Sequence, residues 1–249
     1  MSAVIGLKTG DGAILFTDRA VYDRRFVVRE LKQKVRAANT VPLAVATRGN
    51  ELWSERASEI IVELADEIGV DAAIAEFGEA APDRCAFEPD LRNHLEVVIG
   101  CLSPTHGPQL LVYRNVALLR VDGQQTFGET KVGTFEDAGA SYLGAGSDGS
   151  PLPTLRKQRP GEPVIPYASM VGLTIMEHYR RMPLPPSEWD IVTEPKHVVG
   201  GGVDMTIING NGVEIRSITN WPDKVGSKIY PTGRPLNRHE RRAAARRAA

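Results

Sequence analysis

Two pairs of short apolar runs, each joined by a glycine-rich turn, stand at the two ends of this chain and commit it to antiparallel sheet. Residues 3–7 and 13–17 flank Lys-Thr-Gly-Asp-Gly, and residues 203–208 and 213–218 flank Asn-Gly-Asn-Gly. Asp-Gly and Asn-Gly supply the positive φ angles that tight hairpins require. Residues 26–28 read as a short third strand, residues 34–36 begin another, and residues 43–47 are again short, apolar and β-prone. Asn50 then reads as an N-cap. From Glu51 onward Trp53, Ala57, Ile60, Ile61, Leu64, Ala65 and Ile68 recur at three and four positions, which predicts a long amphipathic helix. Residues 71–77 continue it after a break at Gly69.

Residues 82–90 read as an irregular connection. Residues 95–102 and 109–113 are predicted strands across the turn Ser-Pro-Thr-His-Gly-Pro, with further strands at 116–121 and 130–135. Residues 141–144 lead into Gly144-Ala-Gly-Ser-Asp-Gly149. The proline-rich stretch 151–166 predicts a loop with one helical turn at 154–157. Pro166 opens a second helix over 167–181 whose inward face carries Tyr167, Met170, Val171, Ile175 and Tyr179, and Pro183, Pro185 and Pro186 end it. Strands, helix, strands, helix, strands is the order of an α+β fold rather than of alternating βα units.

With 42% hydrophobic and 24% charged residues among 249, the chain can bury a core without disulfides. It has no apolar run near the ~20 residues that span a bilayer, and residues 1–10 lack the pattern of a signal peptide. Cys85 and Cys101 form no zinc pattern with the five histidines. They read as free thiols, and a reducing cytoplasm is the expected location. Six arginines and one glutamate fall within residues 231–249, so the tail is strongly basic and the body mildly acidic. That balance excludes the body as a general nucleic-acid binder. A boundary is expected between a domain at 2–222 and a basic tail at 223–249. The tail reads as disordered and solvated, the alternative being a helix formed against an acidic partner, a nucleic acid or a neighbouring subunit.

Chemistry gathers at the front. A small residue after the initiator methionine favours its removal, which would leave Ser2 with a hydroxyl nucleophile and a free α-amine. The amine's reference pKa of roughly 7.7–8.0 suits it to act as a base near neutral pH. Asp18 follows Ser2 by sixteen positions and Lys34 follows Asp18 by sixteen more. A hairpin returns Asp18 toward the start of the first strand, and the next excursion is expected to bring Lys34 to the same edge on a neighbouring strand. A lysine ammonium there favours a neutral, basic amine, and Asp18 would fix its direction.

These residues sit in a longer pattern. Ser2-Ala-Val-Ile-Gly-Leu-Lys-Thr-Gly-Asp-Gly-Ala-Ile-Leu-Phe-Thr-Asp-Arg19 resembles the opening of proteasome β-type subunits and their bacterial relatives. Gly6, Asp18 and Lys34 fall on that family's glycine, acid and lysine without a gap. Ala46-Thr-Arg-Gly-Asn50 resembles the family's turn before its first long helix. The strands at 95–113 resemble its strand–turn–strand, and Leu143-Gly-Ala-Gly-Ser147 resembles its Gly-Ser-Gly turn. The resemblance implies an N-terminal-nucleophile hydrolase with a four-layer αββα sandwich. It implies amide-bond hydrolysis of a peptide or protein through an acyl-enzyme, with no cofactor or metal. Assembly into closed rings is implied too, and whether an ATP-dependent unfoldase is a partner stays open. Ser2, Asp18, Lys34 and Ser147 are the implied catalytic set, with an oxyanion donor on the backbone near Ala46 or Thr47.

Departures from the family are equally specific. Serine replaces the usual threonine. The family's Asp and Ser ahead of its late Gly-Gly fall on Lys196 and Val199, leaving Asp204 and Asp148 as candidates to support the amine. A retained Met1 would block the site, and a catalytically silent ring subunit is the alternative function. Two other motifs are expected to be incidental. Gly144-x-Gly146-x-x-Gly149 spells a dinucleotide fingerprint, but Ser150-Pro-Leu-Pro follows where a helix is required. Ser147 with Asp190 and His197 follows the α/β-hydrolase order without that fold's βαβ units. His94, His106, His178 and His239 have no metal-ligand spacing.

Overall fold

The computed structural model describes residues 3–84, 95–115, 133–144, 152–184 and 196–231. In chain order these form β1 (Val4–Lys8), β2 (Gly12–Asp18), β3 (Ala20–Tyr22), β4 (Val28–Leu31), β5 (Val35–Ala37) and β6 (Leu43–Gly49). Helices α1 (Glu51–Ile68) and α2 (Val70–Arg84) follow, then β7 (Leu95–Ser103), β8 (Gly107–Arg114), β9 (Phe135–Asp137) and β10 (Ser141–Gly144). Helix α3 (Val164–Arg181) and the hairpin β11 (Gly202–Asn209) and β12 (Gly212–Asn220) complete the order. One sheet runs β10-β1-β2-β11-β12, a second runs β5-β6-β7-β8-β9, and β3-β4 is a separate ribbon. Every strand pairing is antiparallel, which makes the fold mixed α+β.

The predicted turns set the registers. β1 and β2 pair from Val4↔Thr17 to Lys8↔Ala13, and Thr9 N–H closes the turn on Gly12 O at 2.9 Å. Asn50 caps α1 by accepting from Trp53 N–H at 3.4 Å. Gly69, at φ 87°, turns the chain directly into α2. The stretch 71–77 is therefore part of a full second helix, with Val70, Ala73 and Phe77 buried on its apolar side.

Three expectations are corrected. Residues 26–28 do not form a third strand of their own: Phe26 lies in the turn at φ 59° with its ring 5.4 Å from Tyr22, Val27 makes an isolated bridge to Lys228, and Val28 opens β4, which pairs with β3. Helix α3 begins at Val164, which places Pro166 in the first turn, where its missing N–H has no helical partner to lose. Residues 154–157 make no helical turn. Arg156 instead closes the loop on the carboxylate of Glu162. The expected strand at 116–121 lies outside the described residues.

Strand alternation sorts the faces of the two five-stranded sheets into three clusters of the core. Ile5, Ile14 and Phe16 face Val171, Ile175 and Met176 of α3. Their neighbours Val4, Ala13 and Leu15 point the other way, toward Ala46, Val98 and Leu110 of the second sheet. The opposite face of that second sheet, with Leu43, Val45, Val97 and Ile99, packs against Ala57, Ile61 and Ala65 of α1 and Phe77 of α2. Close approach of α3 to β2 depends on Gly172, where a Cβ would lie 2.5 Å from the fully buried Phe16 ring. Gly172→Ala is expected to lower the unfolding free energy by about 1–3 kcal/mol despite alanine's better helix propensity. A guanidinium titration showing no loss would refute that packing.

Chain packing continues past residue 222, where composition placed the boundary. Ile229 is buried with Ala20 and Val28, and Val27 bridges to Lys228. Among the described residues no helix is long and apolar enough to cross a membrane.

Candidate active site

Asp18 ends β2 and is fully buried. Burying a carboxylate there is costly unless its oxygens are met by donors. One oxygen accepts from Ala3 N–H at 3.0 Å and from Lys34 Nζ at 3.0 Å. The other accepts from Gly200 N–H at 3.2 Å and Ala20 N–H at 3.3 Å. The β1–β2 hairpin thus ties Asp18 to the residue that follows position 2. Lys34 also donates to Ala20 O at 2.6 Å, and its side chain is 8% exposed. Burial pulls the ammonium's pKa down, while the charge and hydrogen bond of Asp18 oppose that shift. Lys34 does not arrive on a neighbouring strand as expected. It precedes β5 and reaches Asp18 from the other sheet.

The loop before β11 completes this corner. Gly200 O accepts from both Arg19 N–H and Ala20 N–H at 3.0 Å. Gly201, at φ 78°, donates its N–H to Asp223 at 2.8 Å. Asp223 holds Arg180 of α3 in a two-point ion pair at 2.6 and 2.9 Å. That guanidinium bonds Val199 O at 3.1 Å and lies 4.5 Å over the Trp221 ring. Through these contacts α3 and the chain after β12 fix the loop whose N–H reaches Asp18.

Of the other predicted site residues, Ala46 and Thr47 lie beside Lys34, and Ser2 and Ser147 lie outside the described residues. Ala46 is fully buried between Val35 and Val98 in the second sheet. Thr47 lines a cleft of about 320 Å³ that it shares with Lys34. Asp204 is 4% exposed, opposite Thr17 on β2, with Arg19 Nε at 3.7 Å. Burial raises the Asp204 pKa, and Arg19 works against the rise. Asp148 also lies outside the described residues. Gly144, at the end of β10, is paired with Val4. Lys196 is buried with its ammonium 4.4 Å over the Phe26 ring, and Val199 belongs to the core beneath α3. Neither offers the carboxylate or hydroxyl that the family has there. His197 donates through Nδ1 to Arg180 O at 3.1 Å. Among the described residues no group of three or more His, Cys, Asp and Glu side chains is placed to hold a metal ion.

A second buried charge cluster was not anticipated from the sequence. Glu96 accepts from Arg48 Nη1 at 2.7 Å, from Arg114 Nε at 2.7 Å, and from the Tyr142 hydroxyl. Burial would raise the Glu96 pKa, but the two guanidiniums and the phenol outweigh it and hold the carboxyl at about 2. Tyr142, on β10, is pushed well above the usual phenol range by the same burial and by the charge of Glu96. Strand parity carried a signal. Arg48, Glu96 and Arg114 each occupy a position in step with Ala46, Val98 and Val112, all of which face the other sheet.

The chain matches no protein-family model and no curated protein sequence.

Proposed function

We propose that this chain is an N-terminal-nucleophile amide hydrolase of the proteasome-like class, acting on a peptide or protein. The three hydrophobic clusters on the faces of the two large sheets are read as the seams of a four-layer αββα sandwich, with α3 outside one sheet and α1 and α2 outside the other. One observation carries the reading. The buried Asp18 carboxylate joins Ala3 N–H, the Lys34 ammonium and the Gly200 N–H in one corner, immediately after position 2. After removal of Met1, the Ser2 hydroxyl attacks the amide carbonyl and its α-amine accepts the proton. The amine of the substrate leaves with that proton, and water then releases the acyl group from Ser2. Lys34, already depressed by burial, keeps the nearby amine neutral, while Asp18 holds Lys34 in place. Backbone near Ala46 and Thr47 is the assigned oxyanion donor, and Ser147 the assigned support for the amine.

A specific observation favours a second reading, a silent ring subunit. Lys196 and Val199 stand where the family has an acid and a serine, and both are buried in structural contacts. Intact mass and labelling by a β-lactone separate the two readings. The hydrolase reading expects loss of one methionine and an adduct on Ser2, with Lys34→Met slowing labelling by about 10²–10⁴-fold. A retained Met1, or no adduct on Ser2, would leave the silent reading.

A further inference from the structure

The cleft beside Lys34 and Thr47 has a charge arrangement that the hydrolytic reading does not use. Its volume of about 320 Å³ suits a single side chain with its flanking backbone. Two stretches of strand border it, Ala20–Tyr22 and Thr47–Gly49. Among the described residues each pairs as a strand on one side only: β3 pairs with β4, and beyond Ala46 the strand β6 pairs with β7 alone. The open edges are those of residues 21–22 and 47–49, the Ala20 N–H and carbonyl being taken by Gly200, Asp18 and Lys34. Open strand edges of this kind accept an extended peptide through its main chain, leaving side chains to enter pockets.

Two glutamates line the cleft, but both are already engaged. Lys32 Nζ lies 2.6 Å from Glu55 and 3.1 Å from Glu51, with Glu30 at 3.4 Å. An incoming cation would have to displace Lys32. An incoming carboxylate meets the opposite situation. Arg36, exposed in the middle of β5, lines the cleft and has no ion pair among the described residues. Ser54, in the first turn of α1, also lines it, and its buried hydroxyl has no hydrogen-bond partner among the described residues. A buried unpaired hydroxyl is costly unless a ligand supplies its partner.

We propose that this cleft binds an acidic side chain of an extended peptide, with Arg36 pairing to the carboxylate in a forked geometry and the Ser54 hydroxyl donating to it. That the acidic residue lies next to the scissile amide rests on the hydrolytic reading of the Asp18–Lys34 corner. The binding itself does not.

The test uses the full chain and acetylated alanine peptides that end in Glu, Lys or Leu coupled to aminocoumarin. Affinities are measured by calorimetry on the Ser2→Ala variant, and release of aminocoumarin on the unaltered protein. The Glu peptide is expected to bind at least about tenfold more tightly than the other two, a preference that Arg36→Gln abolishes and Arg36→Glu reverses. Ser54→Ala is expected to weaken the Glu peptide alone. Equal affinities, or a Glu preference that survives Arg36→Gln in a protein with unchanged circular dichroism, would overturn the assignment. Coumarin release indifferent to charge would remove the cleft assignment and leave the hydrolase standing. An Arg36-dependent Glu preference with no release and no label on Ser2 would do the reverse.

Discussion

Asp18→Ala is expected to lower the unfolding free energy by about 3–5 kcal/mol, because it strands a buried lysine ammonium without its counter-ion. The carboxylate also satisfies the N–H groups of Ala3, Ala20 and Gly200. Lys34 keeps its hydrogen bond to the Ala20 carbonyl after the change but loses the opposite charge beside it. The double variant Asp18→Asn with Lys34→Met removes both charges. It should recover part of that loss, since it removes the uncompensated charge, while the Asn amide nitrogen, a donor, cannot replace a carboxylate oxygen toward the N–H groups that both oxygens meet. β-Lactone labelling should stay slowed by about 10²–10⁴-fold in the double variant, as in Lys34→Met alone. Guanidinium titration of the single and double variants, run beside labelling, therefore separates support of the fold from support of the chemistry. A single variant within about 1 kcal/mol of the unaltered protein would mean that the corner is not electrostatically coupled.

Glu96 gives the second large effect, and its sign with pH is definite. Held at about 2 in the folded protein, against an ordinary value near 4.5, the carboxyl binds its proton more weakly in the native state. Its stabilisation is therefore complete above about pH 5 and is lost as pH falls toward 2, a change of about 3 kcal/mol. Glu96→Gln removes that titration and leaves Arg48 and Arg114 facing a neutral amide. Its stability at pH 7 should fall by about 3–5 kcal/mol, and its further loss between pH 5 and 2 should be smaller than in the unaltered protein by about the 3 kcal/mol that Glu96 supplies. Parallel acid profiles for the two proteins would contradict the assigned role of the cluster.

Local chemistry was legible in the sequence wherever a few adjacent residues decide it. The Asp-Gly and Asn-Gly turns set their hairpins, and Asn50 caps α1 as read. The approach of Asp18 to the start of β1 followed from the hairpin alone. What stayed hidden depends on partners far along the chain. β4 reads Val-Arg-Glu-Leu, with two exposed charged residues and no apolar run to announce it. Arg180 looks like a surface cation in the last turn of a helix. It is buried because Asp223, 43 residues on, meets both of its nitrogens. Nothing near Lys34 in sequence indicated that it would cross from one sheet to the other.

That crossing has a mechanical consequence. Asp18 and Lys34 are fastened to different sheets and meet at 3.0 Å, so the pair reports how the sheets are aligned. The apolar seam between them resists sliding because Gly100 admits Ile208, Ala13 and Leu15 almost to contact with its backbone. A slip of even one or two ångströms along that seam would part carboxylate from ammonium before it broke a strand. The contact between the two side chains would thus work as a clutch, engaging or releasing with the secondary structure intact.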